Sequence, residues 1–284
     1  MNPPRILVVG SVNLDFVATA SKLPAPGETV TGAVLARHPG GKGANQALAA
    51  RRLGADVALA ARVGCDAMAQ EALALLRAGG VDLSACGVDD GAATGVALIA
   101  VSADGENQII VASGANRTLT PDRLVAPAAD AIICQLEIPM ETVLAAARAP
   151  VFFCVNLAPA AVVPDELFAR ADLIVVNEGE AAFQGERLTM AKGLVAITEG
   201  GRGAALFRHG GEIARAAPPA VTAVDTTGAG DAFVAALVVA LLEKQTPEAA
   251  LRFACAAGAL AATAPGAQPS LPQRADVDQL LARG

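Results

Sequence analysis

The amino-acid sequence predicts an α/β protein: a doubly wound, mostly parallel sheet with helices on both faces, accompanied by a small second β-sheet. Short runs of β-branched residues alternate with helical stretches along most of the 284 residues, as expected for a parallel sheet. Two segments, 16–39 and 94–113, are strand-like and break this alternation. Hydrophobic residues make up 54% of the chain and aromatic residues only 3%, so Ala and Val must fill a core of closely packed helices and strands.

The strand–helix alternation begins with RILVVGS (5–11), a β-branched run that contains glycine near its end and predicts a buried strand. Apolar residues at helical spacing predict a helix over 41–54, with Gly54 as its C-terminal cap. A strand over 56–64 and a helix over 67–80 follow. Four later runs predict further strands: AIICQLE (131–137), VFFCVNLA (151–158), LIVVNEGE (173–180) and LVAITEGG (194–201).

The two segments that break the alternation predict a β-lid. Segment 16–39 is rich in Pro, Gly and Thr, and segment 94–113 predicts a hairpin that turns at Asp104-Gly105. We therefore expect a core domain of residues 1–15, 41–93 and 116–284, and a β-lid of residues 16–40 with 94–115. Loops at the carboxyl ends of the parallel strands commonly form the ligand crevice of such a sheet.

Charge and composition exclude several function classes. The net charge of −7 and the pI near 4.9 argue against a nucleic-acid or acidic-membrane partner, but not against a small anionic ligand. Five scattered cysteines without a CxxC pair favour a reducing compartment. The first apolar run is too short for a signal peptide, and the apolar stretch 232–242 is shorter than the roughly 18 residues of a membrane span. We expect a cytoplasmic protein with no membrane contact.

The stretch VDTTGAGDAF places a lone acid behind small residues at the start of a long apolar helix. The first turn of a helix leaves backbone N–H groups unpaired, and Gly228, Ala229 and Gly230 let such a backbone approach an anion closely. A carboxylate here would repel phosphate unless it takes a proton from an incoming hydroxyl, which makes Asp231 a candidate general base. An ordinary turn with a favourable first-turn charge remains the alternative. The chain has no P-loop, and no GxGxxG follows the first strand.

A polar cluster near the N-terminus predicts a carbohydrate site. Asn13 and Asp15 follow the first strand two residues apart, so they share one side of an extended chain. The glycines of HPGGKGANQA allow close approach to a ligand, and Asn45 follows them. Convergent amides and carboxylates suit a polyhydroxylated ligand, because each hydroxyl both donates and accepts. An Asx turn at Asn13 and Asp15, or an N-cap at Asn45, remains open.

Further polar residues stand at strand ends. Glu137 is either a ligand contact or a helix-start charge, which Pro139 would fit, and Lys42 either meets phosphate or lies in solvent. The acids of NEGE (177–180) suit Mg²⁺ bound through waters, or they are solvated loop acids. His38 and His209 lack metal-ligand spacing, so we assign them no role.

Together these motifs resemble the ribokinase family, within the larger group of sugar and nucleoside kinases that share its fold. GGKGANQA and DTTGAGDAF are similar to the two defining motifs of that group, and the first is close to the ribokinase version. Ten shorter motifs fall in family order: VNLD, PGETVTG, TGVALI, GENQII, GAN, QLE, NLAPA, NEGE, TEGGRGA and PGAQPS. The resemblance runs nearly end to end.

The resemblance implies ATP-dependent phosphorylation of the 5-hydroxyl of D-ribose with Mg²⁺, in a cleft closed by the β-lid. Asp231 would be the base, above an anion hole of Gly228, Ala229 and Gly230. The implied sugar contacts are Asn13, Asp15, Gly41, Lys42, Asn45 and Glu137. The implied nucleotide contacts are Asn177, Thr198, Gly200, Gly201 and Gly203, with Glu180 near Mg²⁺.

Two further properties follow from the resemblance. Ribokinases are activated by a monovalent cation such as K⁺, and the matching positions are Asp225, Thr227, Ala261, Ala264, Gly266 and Ser270. The family commonly forms homodimers through its lids.

The sequence also departs from the family pattern. It is shortened between NEGE and LVAITEGG and between AAARAP and VFFCVN, and it has Leu157 and Pro39 where the family usually differs. These departures concern the choice of substrate and nucleotide. The alternatives left open are a kinase of the same fold for another small sugar or a nucleoside, and a catalytically silent sugar-binding protein. A dehydrogenase is disfavoured, because the glycine fingerprint is absent from the first strand.

Overall fold

The structure is a computed structural model that describes residues 2–283. Its strands are β1 Arg5–Val9, β2 Asn13–Thr19, β3 Val34–Gly40, β4 Asp56–Gly64, β5 Cys86–Asp89, β6 Gly95–Val101, β7 Asn107–Ala112, β8 Ala131–Cys134, β9 Phe152–Asn156, β10 Leu173–Asn177, β11 Leu194–Thr198, β12 Ala204–Arg208 and β13 Gly211–Ala216. Its helices are α1 Lys42–Arg52, α2 Ala67–Ala72, α3 Ala74–Ala78, α4 Met140–Ala147, α5 Asp165–Arg170, α6 Glu178–Gln184, α7 Ala229–Leu242, α8 Pro247–Ala261, α9 Ala267–Ser270 and α10 Arg274–Arg283.

The large sheet has nine strands in the order β13-β12-β11-β10-β9-β8-β1-β4-β5. Every pair is parallel except β11 with β12 and β12 with β13. The mostly parallel sheet predicted from the sequence is therefore confirmed. Parallel strands need crossover connections, which return the chain to the end of the large sheet where its parallel strands begin. The helices in these connections are α1, α4, α5 and α6.

Helices cover both faces of the large sheet, and β1 shows why. Its alternate residues Ile6 and Val8 are buried in an apolar cluster with residues of α1, α7 and α8. Leu7 and Val9 belong to a second cluster with residues of α4 and α5. A strand buried on both faces is apolar throughout, which is the pattern of the RILVV run. Helix α7 is enclosed in the first cluster, so residues 232–240 are all buried and apolar.

The small sheet has four strands in the order β3-β2-β6-β7. Strand β2 is parallel to β6 and antiparallel to β3, and β6 is antiparallel to β7. The hairpin predicted over 94–113 is present: Gly105 has a φ of 88° and its N–H donates to the Ser102 carbonyl at 3.0 Å. Asn13 and Asp15 lie inside β2, within the small sheet, whereas the sequence division placed them with the core.

Two predicted boundaries differ in the structure. The helix expected over 67–80 is two short helices, α2 and α3, because Leu73 has a ψ of −4° and tightens the turn between them. Helix α1 begins at Lys42 and ends at Arg52, with Gly54 at a φ of 103°, so the left-handed cap is confirmed. No helix within residues 2–283 combines the length and the apolar character that a membrane crossing requires.

Candidate active site

The candidate active site lies where several strands of the large sheet end and helices begin. Strands β9, β10 and β11 end at Asn156, Asn177 and Thr198. A cavity of about 210 Å³ is lined by these three residues and by Lys42 and Asp231. The carboxyl ends of parallel strands thus bring together residues that are far apart in the sequence, as expected for a doubly wound sheet.

Asp231 occupies the first turn of α7. Gly228 is the N-cap of this helix with a φ of 80°, and an added Cβ there would lie 3.0 Å from the Ala267 Cα. Only glycine adopts this left-handed conformation without strain. The helix therefore starts with Ala229, and the Asp231 carboxyl is carried on its first turn, buried yet lining the cavity.

Two amide side chains of α1 hold the Asp231 carboxyl. Asn45 Nδ2 donates to Asp231 Oδ2 at 2.9 Å, and Gln46 Nε2 donates to Asp231 Oδ1 at 2.9 Å. Burial raises the pKa of Asp231, whereas the Lys42 charge and the two amide donors act to lower it. Each carboxyl oxygen has a second lone-pair direction, so Asp231 keeps the capacity to accept a proton from a ligand hydroxyl.

The backbone at the start of α7 supplies part of the expected anion cradle. The amides of Gly228 and Gly230 donate to no other atom within residues 2–283. The Ala229 amide donates to the Thr226 carbonyl at 3.1 Å, because the turn before the helix closes on it. The prediction that Ala229 contributes its amide to the anion hole is therefore wrong for this conformation, and Gly228 and Gly230 remain.

The predicted sugar-binding residues converge beside Asp231. An added Cβ at Gly40 would lie 2.1 Å from Asp15 Oδ2, so glycine is what lets the end of β3 approach this carboxyl. The buried atoms Asp15 Oδ1 and Asn45 Oδ1 find no hydrogen-bond partner within residues 2–283. An unpaired buried acceptor costs free energy, so these two atoms are positioned for donors on a ligand.

Asn13 is oriented by a residue that we did not predict. Asn116 Nδ2 donates to Asn13 Oδ1 at 2.8 Å, and Val12 N donates to Asn116 Oδ1 at 2.9 Å. Because the Asn13 oxygen already accepts, its NH₂ group is the part left for a ligand. The GAN motif therefore acts on the site through Asn13.

Glu137 lies at the start of α1 rather than at the start of its own helix. Its Oε2 accepts from the Lys42 amide at 3.1 Å and from the Ser11 hydroxyl. Ser11 Oγ in turn accepts from the Gly43 amide at 3.3 Å. Glu137 thus caps α1 across the sheet and compensates amides that lack intrahelical partners. The interpretation of Glu137 as a charge for the helix after Pro139 is not supported by these contacts.

The site concentrates negative charge around one lysine. Although burial opposes it, the carboxylates of Asp231, Glu137, Glu180 and Asp15 raise the pKa of Lys42, so it stays protonated. Burial, with repulsion from Glu137 and Asp231, raises the pKa of Asp15 to about 7. The cleft thus keeps one cation firmly charged and holds one of its acids close to protonation at neutral pH.

A second cavity of about 540 Å³ adjoins the first and shares Thr198, Thr226 and Gly230 with it. Its lining includes Gly200, Gly201 and Gly203, the glycines that the sequence assigns to nucleotide binding. The remaining lining is largely apolar and includes Pro218, Pro219, Val221, Phe233, Ala259 and Ala262. A flat heterocycle fits an apolar surface of this kind. The shared residue Gly230 connects this larger cavity to the start of α7.

Asn177 and Glu180 form the capping box of α6. Asn177 Oδ1 accepts from the Glu180 amide, and Glu180 Oε2 accepts from the Asn177 amide, each at 2.8 Å. Both residues line the smaller cavity, and burial raises the pKa of Glu180. Within residues 2–283 no group of three or more His, Cys, Asp or Glu side chains is arranged to hold a metal ion. This donor set fits Mg²⁺ held mainly by phosphate and water oxygens, with Glu180 as a nearby acid.

The positions predicted for a monovalent cation lie on two adjoining loops. Asp225 N donates to the Ala262 carbonyl at 3.2 Å, and Gly266 N donates to Asp225 Oδ2 at 2.8 Å. Asp225 Oδ1 accepts from the amide and the hydroxyl of Thr227. The Ser270 hydroxyl donates to the Ala267 carbonyl at 2.9 Å, inside its own short helix. Asp225 and Thr227 lie in the loop before α7, whereas Ala261, Ala264, Gly266 and Ser270 lie between the end of α8 and the end of α9.

A comparison of the whole chain with known proteins decides the family. The model of the family described as pfkB family carbohydrate kinase matches residues 3–274. The chain belongs to this family. It is also 39% identical to a ribokinase of Bacillus subtilis, over an alignment that covers 98% of this chain and 99% of the relative.

Solved structures of kinases confirm the ribokinase-like fold. A ribokinase from Thermotoga maritima superposes with a TM-score of 0.89 at 31% identity, covering 98% of this chain and 99% of the other. An Arabidopsis thaliana ribokinase, solved in complex with ribose and ATP, gives a TM-score of 0.85 at 33% identity and covers 99% of both chains.

Three buried polar residues of this pfkB-family site were not expected from the sequence. Gln46, Gln135 and Asn156 form a hydrogen-bonded chain that ends at Asp231. Each belongs to a motif that was recognised for another reason: Gln46 in GGKGANQA, Gln135 in QLE and Asn156 in NLAPA. Polar residues at the ends of apolar strands were the available signal, but the sequence does not reveal that the three meet.

Proposed function

We propose that this pfkB-family kinase is a ribokinase, which transfers the γ-phosphate of ATP to the 5-hydroxyl of D-ribose. The observation that carries the proposal is the placement of Asp231. Its buried carboxyl lies at the start of α7, near unpaired sugar-side acceptors, and lines the smaller of two adjoining cavities, next to Gly230, which lines both. The relatives from Bacillus subtilis and Arabidopsis thaliana are named ribokinases, and the second was solved with ribose and ATP.

The sugar hydroxyls bind to groups that lack protein partners. Asp15 Oδ1 and Asn45 Oδ1 accept hydroxyl protons, because both atoms are buried without a donor among residues 2–283. The NH₂ group of Asn13 donates to a sugar oxygen, since its own oxygen is occupied by Asn116. Gly41, Lys42 and Glu137 complete the sugar pocket at the start of α1.

The reaction places the 5-hydroxyl between Asp231 and the γ-phosphate. As the sugar oxygen attacks phosphorus in line, Asp231 takes its proton, the bond to the bridging oxygen breaks and ADP leaves. Charge on the transferring group is stabilised by the Lys42 ammonium and by the free amides of Gly228 and Gly230. Positioning and electrostatics of this kind account for most of the catalysis of phosphoryl transfer.

The larger cavity holds the nucleotide. Its apolar wall takes the base, and Thr198 with the glycines at 200, 201 and 203 lies along the path to the phosphates. Asn177 lines the smaller cavity, where the phosphate chain meets the sugar side. The chain provides no P-loop lysine, so Lys42 is the cation that meets phosphate.

Two ions belong to the proposal. Glu180 would be the acid nearest to Mg²⁺, and the ion would neutralise phosphate charge. A monovalent cation, K⁺, is held at the loop region of Asp225, Thr227, Ala261, Ala264, Gly266 and Ser270. The hydrogen bonds that join these loops support this site, because they also set the turn that leads into α7.

The small sheet serves as the lid over the sugar, since β2 carries Asn13 and Asp15 into the site. Its outer strand β7 is exposed along its whole length, and Leu35, Leu98 and Ile110 share one face and are all exposed. An exposed edge with an apolar face supports a homodimer formed through the lids. All five cysteines lie within the described residues and are free thiols, which supports a cytoplasmic location.

Replacing the base tests the chemistry. Asp231→Asn keeps the size of the side chain but cannot take a proton, so kcat should fall by about 10² to 10⁴-fold while the affinity for ribose changes little. Asp278→Asn, at an exposed position of α10, is the matched control and should retain the wild-type kcat. A near-normal kcat in Asp231→Asn would remove this residue from the mechanism.

An ADP-release screen over sugars and nucleosides, with and without K⁺, tests the substrate and the ion. Ribose should give the highest kcat/KM, and K⁺ should raise it. A nucleoside or another sugar in first place would replace ribose as the acceptor. Stabilisation by ribose without any ADP release would instead identify a silent sugar-binding protein.

A further inference from the structure

Three buried side-chain amides lie beside Asp231, and one of them, Asn156, also lines the smaller cavity. Gln46 and Gln135 are fully buried, and Asn156 is 7% exposed. Gln135 Nε2 donates to Gln46 Oε1 at 2.6 Å. Gln46 Nε2 donates both to Asn156 Oδ1 at 3.2 Å and to Asp231 Oδ1 at 2.9 Å. We name these three residues the amide chain.

The amide chain has a defined polarity. Asn156 Nδ2 donates to the Val175 carbonyl at 3.1 Å, and a carbonyl can only accept. The Asn156 oxygen must then face Gln46, which requires the NH₂ group of Gln46 on that side. Gln135 stabilises the same orientation from the opposite end, because its NH₂ group donates to Gln46 Oε1. Both hydrogens of Gln46 Nε2 are thus committed, and one of them points at Asp231.

Gln135 restricts which residue can lie next to it and leaves one of its own atoms without a hydrogen bond. An added Cβ at Gly10 would lie 2.1 Å from Gln135 Oε1 and 2.7 Å from the Gly43 Cα, so this strand end needs glycine beside the glutamine. Gln135 Oε1 is itself buried without a hydrogen-bond partner within residues 2–283. An apolar residue of similar shape would avoid that unpaired acceptor, so stability alone does not account for Gln135.

We propose that Gln46 is a positioning residue for the general base, and that Gln135 and Asn156 hold its amide in the donating orientation. The proposal rests on the proposed function, in which Asp231 accepts the hydroxyl proton. With the Gln46 amide reversed, its oxygen would face Asp231 Oδ1 and displace the carboxyl from the sugar hydroxyl. Since a displacement of about 1 Å at a reacting group costs roughly 10²-fold in rate, the orientation of one amide is sufficient to control turnover.

A double-mutant cycle on kcat tests the proposal. Gln46→Met and Gln135→Met remove the amides but keep the chain length. Gln46→Met should lower kcat by about 10- to 100-fold and change the KM for the sugar by less than about threefold. Gln135→Met should lower kcat by about 3- to 10-fold in the wild-type background and by less than about 1.5-fold in the Gln46→Met background, because it acts through Gln46.

Two further variants keep the test decisive. Gln184→Met removes another buried amide, which donates to the Ala161 carbonyl away from Asp231, and should leave kcat unchanged. Should Gln46→Met fail to fold, Gln135→Met with Asn156→Leu makes a second cycle, again expected to be non-additive. Additive losses in either cycle, or an equal loss in Gln184→Met, would overturn the positioning role.

All rates are measured with the acceptor that the wild-type enzyme uses best. An enzyme without any turnover would instead overturn the proposed function.

Discussion

Asp15→Asn is expected to stabilise the sugar-free protein while it weakens sugar binding. Asp15 is buried in the small sheet, its Oδ1 has no partner within residues 2–283, and two other acids repel it. A neutral amide at this position removes the repulsion and the cost of burying a charge. It also replaces one carboxylate oxygen, a proposed acceptor for sugar hydroxyls, with an NH₂ group, so stability and function should change in opposite directions.

The magnitude follows from the shift in pKa. Burial, with Glu137 and Asp231, raises the pKa of Asp15 from 3.8 to about 7. That difference of roughly 3 pH units, at about 1.36 kcal/mol each, corresponds to about 4 kcal/mol. The folded pKa is the higher one, so between about pH 4 and 7 the unfolded carboxyl has lost its proton while the folded one retains it. Stability therefore falls as pH rises through this window, and the full deficit is present above the folded pKa.

Urea unfolding of the sugar-free protein, followed by circular dichroism, measures this effect. The free energy of unfolding of Asp15→Asn should exceed that of the wild type by about 4 kcal/mol at pH 8, by about 1.5 kcal/mol at pH 5, and by almost nothing near pH 3.5. Ribose should stabilise the wild type and have little effect on the variant.

Asp89→Asn is the control of opposite sign. The nearby Thr118 hydroxyl, the hydrogen bond from the Gly91 amide, and Arg123 and Arg62 lower the pKa of Asp89 to about 2. Its folded pKa lies below the unfolded value, so its contribution is present above about pH 4 and is lost as pH falls towards 2. The variant should be less stable than the wild type at pH 8. A stability difference for Asp15→Asn that does not vary with pH, or a loss of stability at pH 8, would refute the reasoning.

Two further predictions concern the start of α7 and the lid. Gly228→Ala should lower the free energy of unfolding by about 1–2 kcal/mol, because of its φ of 80° and the contact with Ala267, and should lower kcat. Gly230→Ala, which meets no atom within 4 Å among the described residues, should retain or slightly raise thermal stability, and equal losses in the two variants would contradict this account. Leu98→Glu with Ile110→Glu should convert a lid-mediated dimer to a monomer in light scattering, whereas an unchanged mass would exclude this face as the interface.

Much of the fold was predictable because its determinants are local. The β-branched run of β1, the left-handed Gly54 after α1 and the turn at Asp104-Gly105 each depend on a few adjacent residues. The placement of Asn13 and Asp15 inside β2 depends instead on pairing with β3 and β6, which lie far along the chain. Local pattern does not specify such pairing, so the boundary of the small sheet was misplaced.

The same distinction applies to the site. Asp231, Asn45 and Lys42 were predictable as a group, because each stands in a glycine-rich helix start with a clear chemical reason. The engagement of the Ala229 amide by Thr226 was not, since it depends on the conformation of one turn. The amide chain was also missed, because its role exists only in the contact between residues of three separate motifs.

The acids of this cleft explain why pattern rules fail there. Asp15, Glu137, Glu180 and Asp231 surround a single lysine, although the proposed co-substrate is itself an anion. Packing rules would replace such a cluster with apolar or paired residues, because burying like charges together destabilises the fold. The arrangement is reasonable only if ligands supply what the chain lacks: hydroxyl donors for Asp15 and Asn45, and positive charge beside Glu180. The unfavourable free energy of the empty site then favours sugar binding. Neutralising Asp15 should therefore raise the stability of the sugar-free protein and lower its affinity for the sugar.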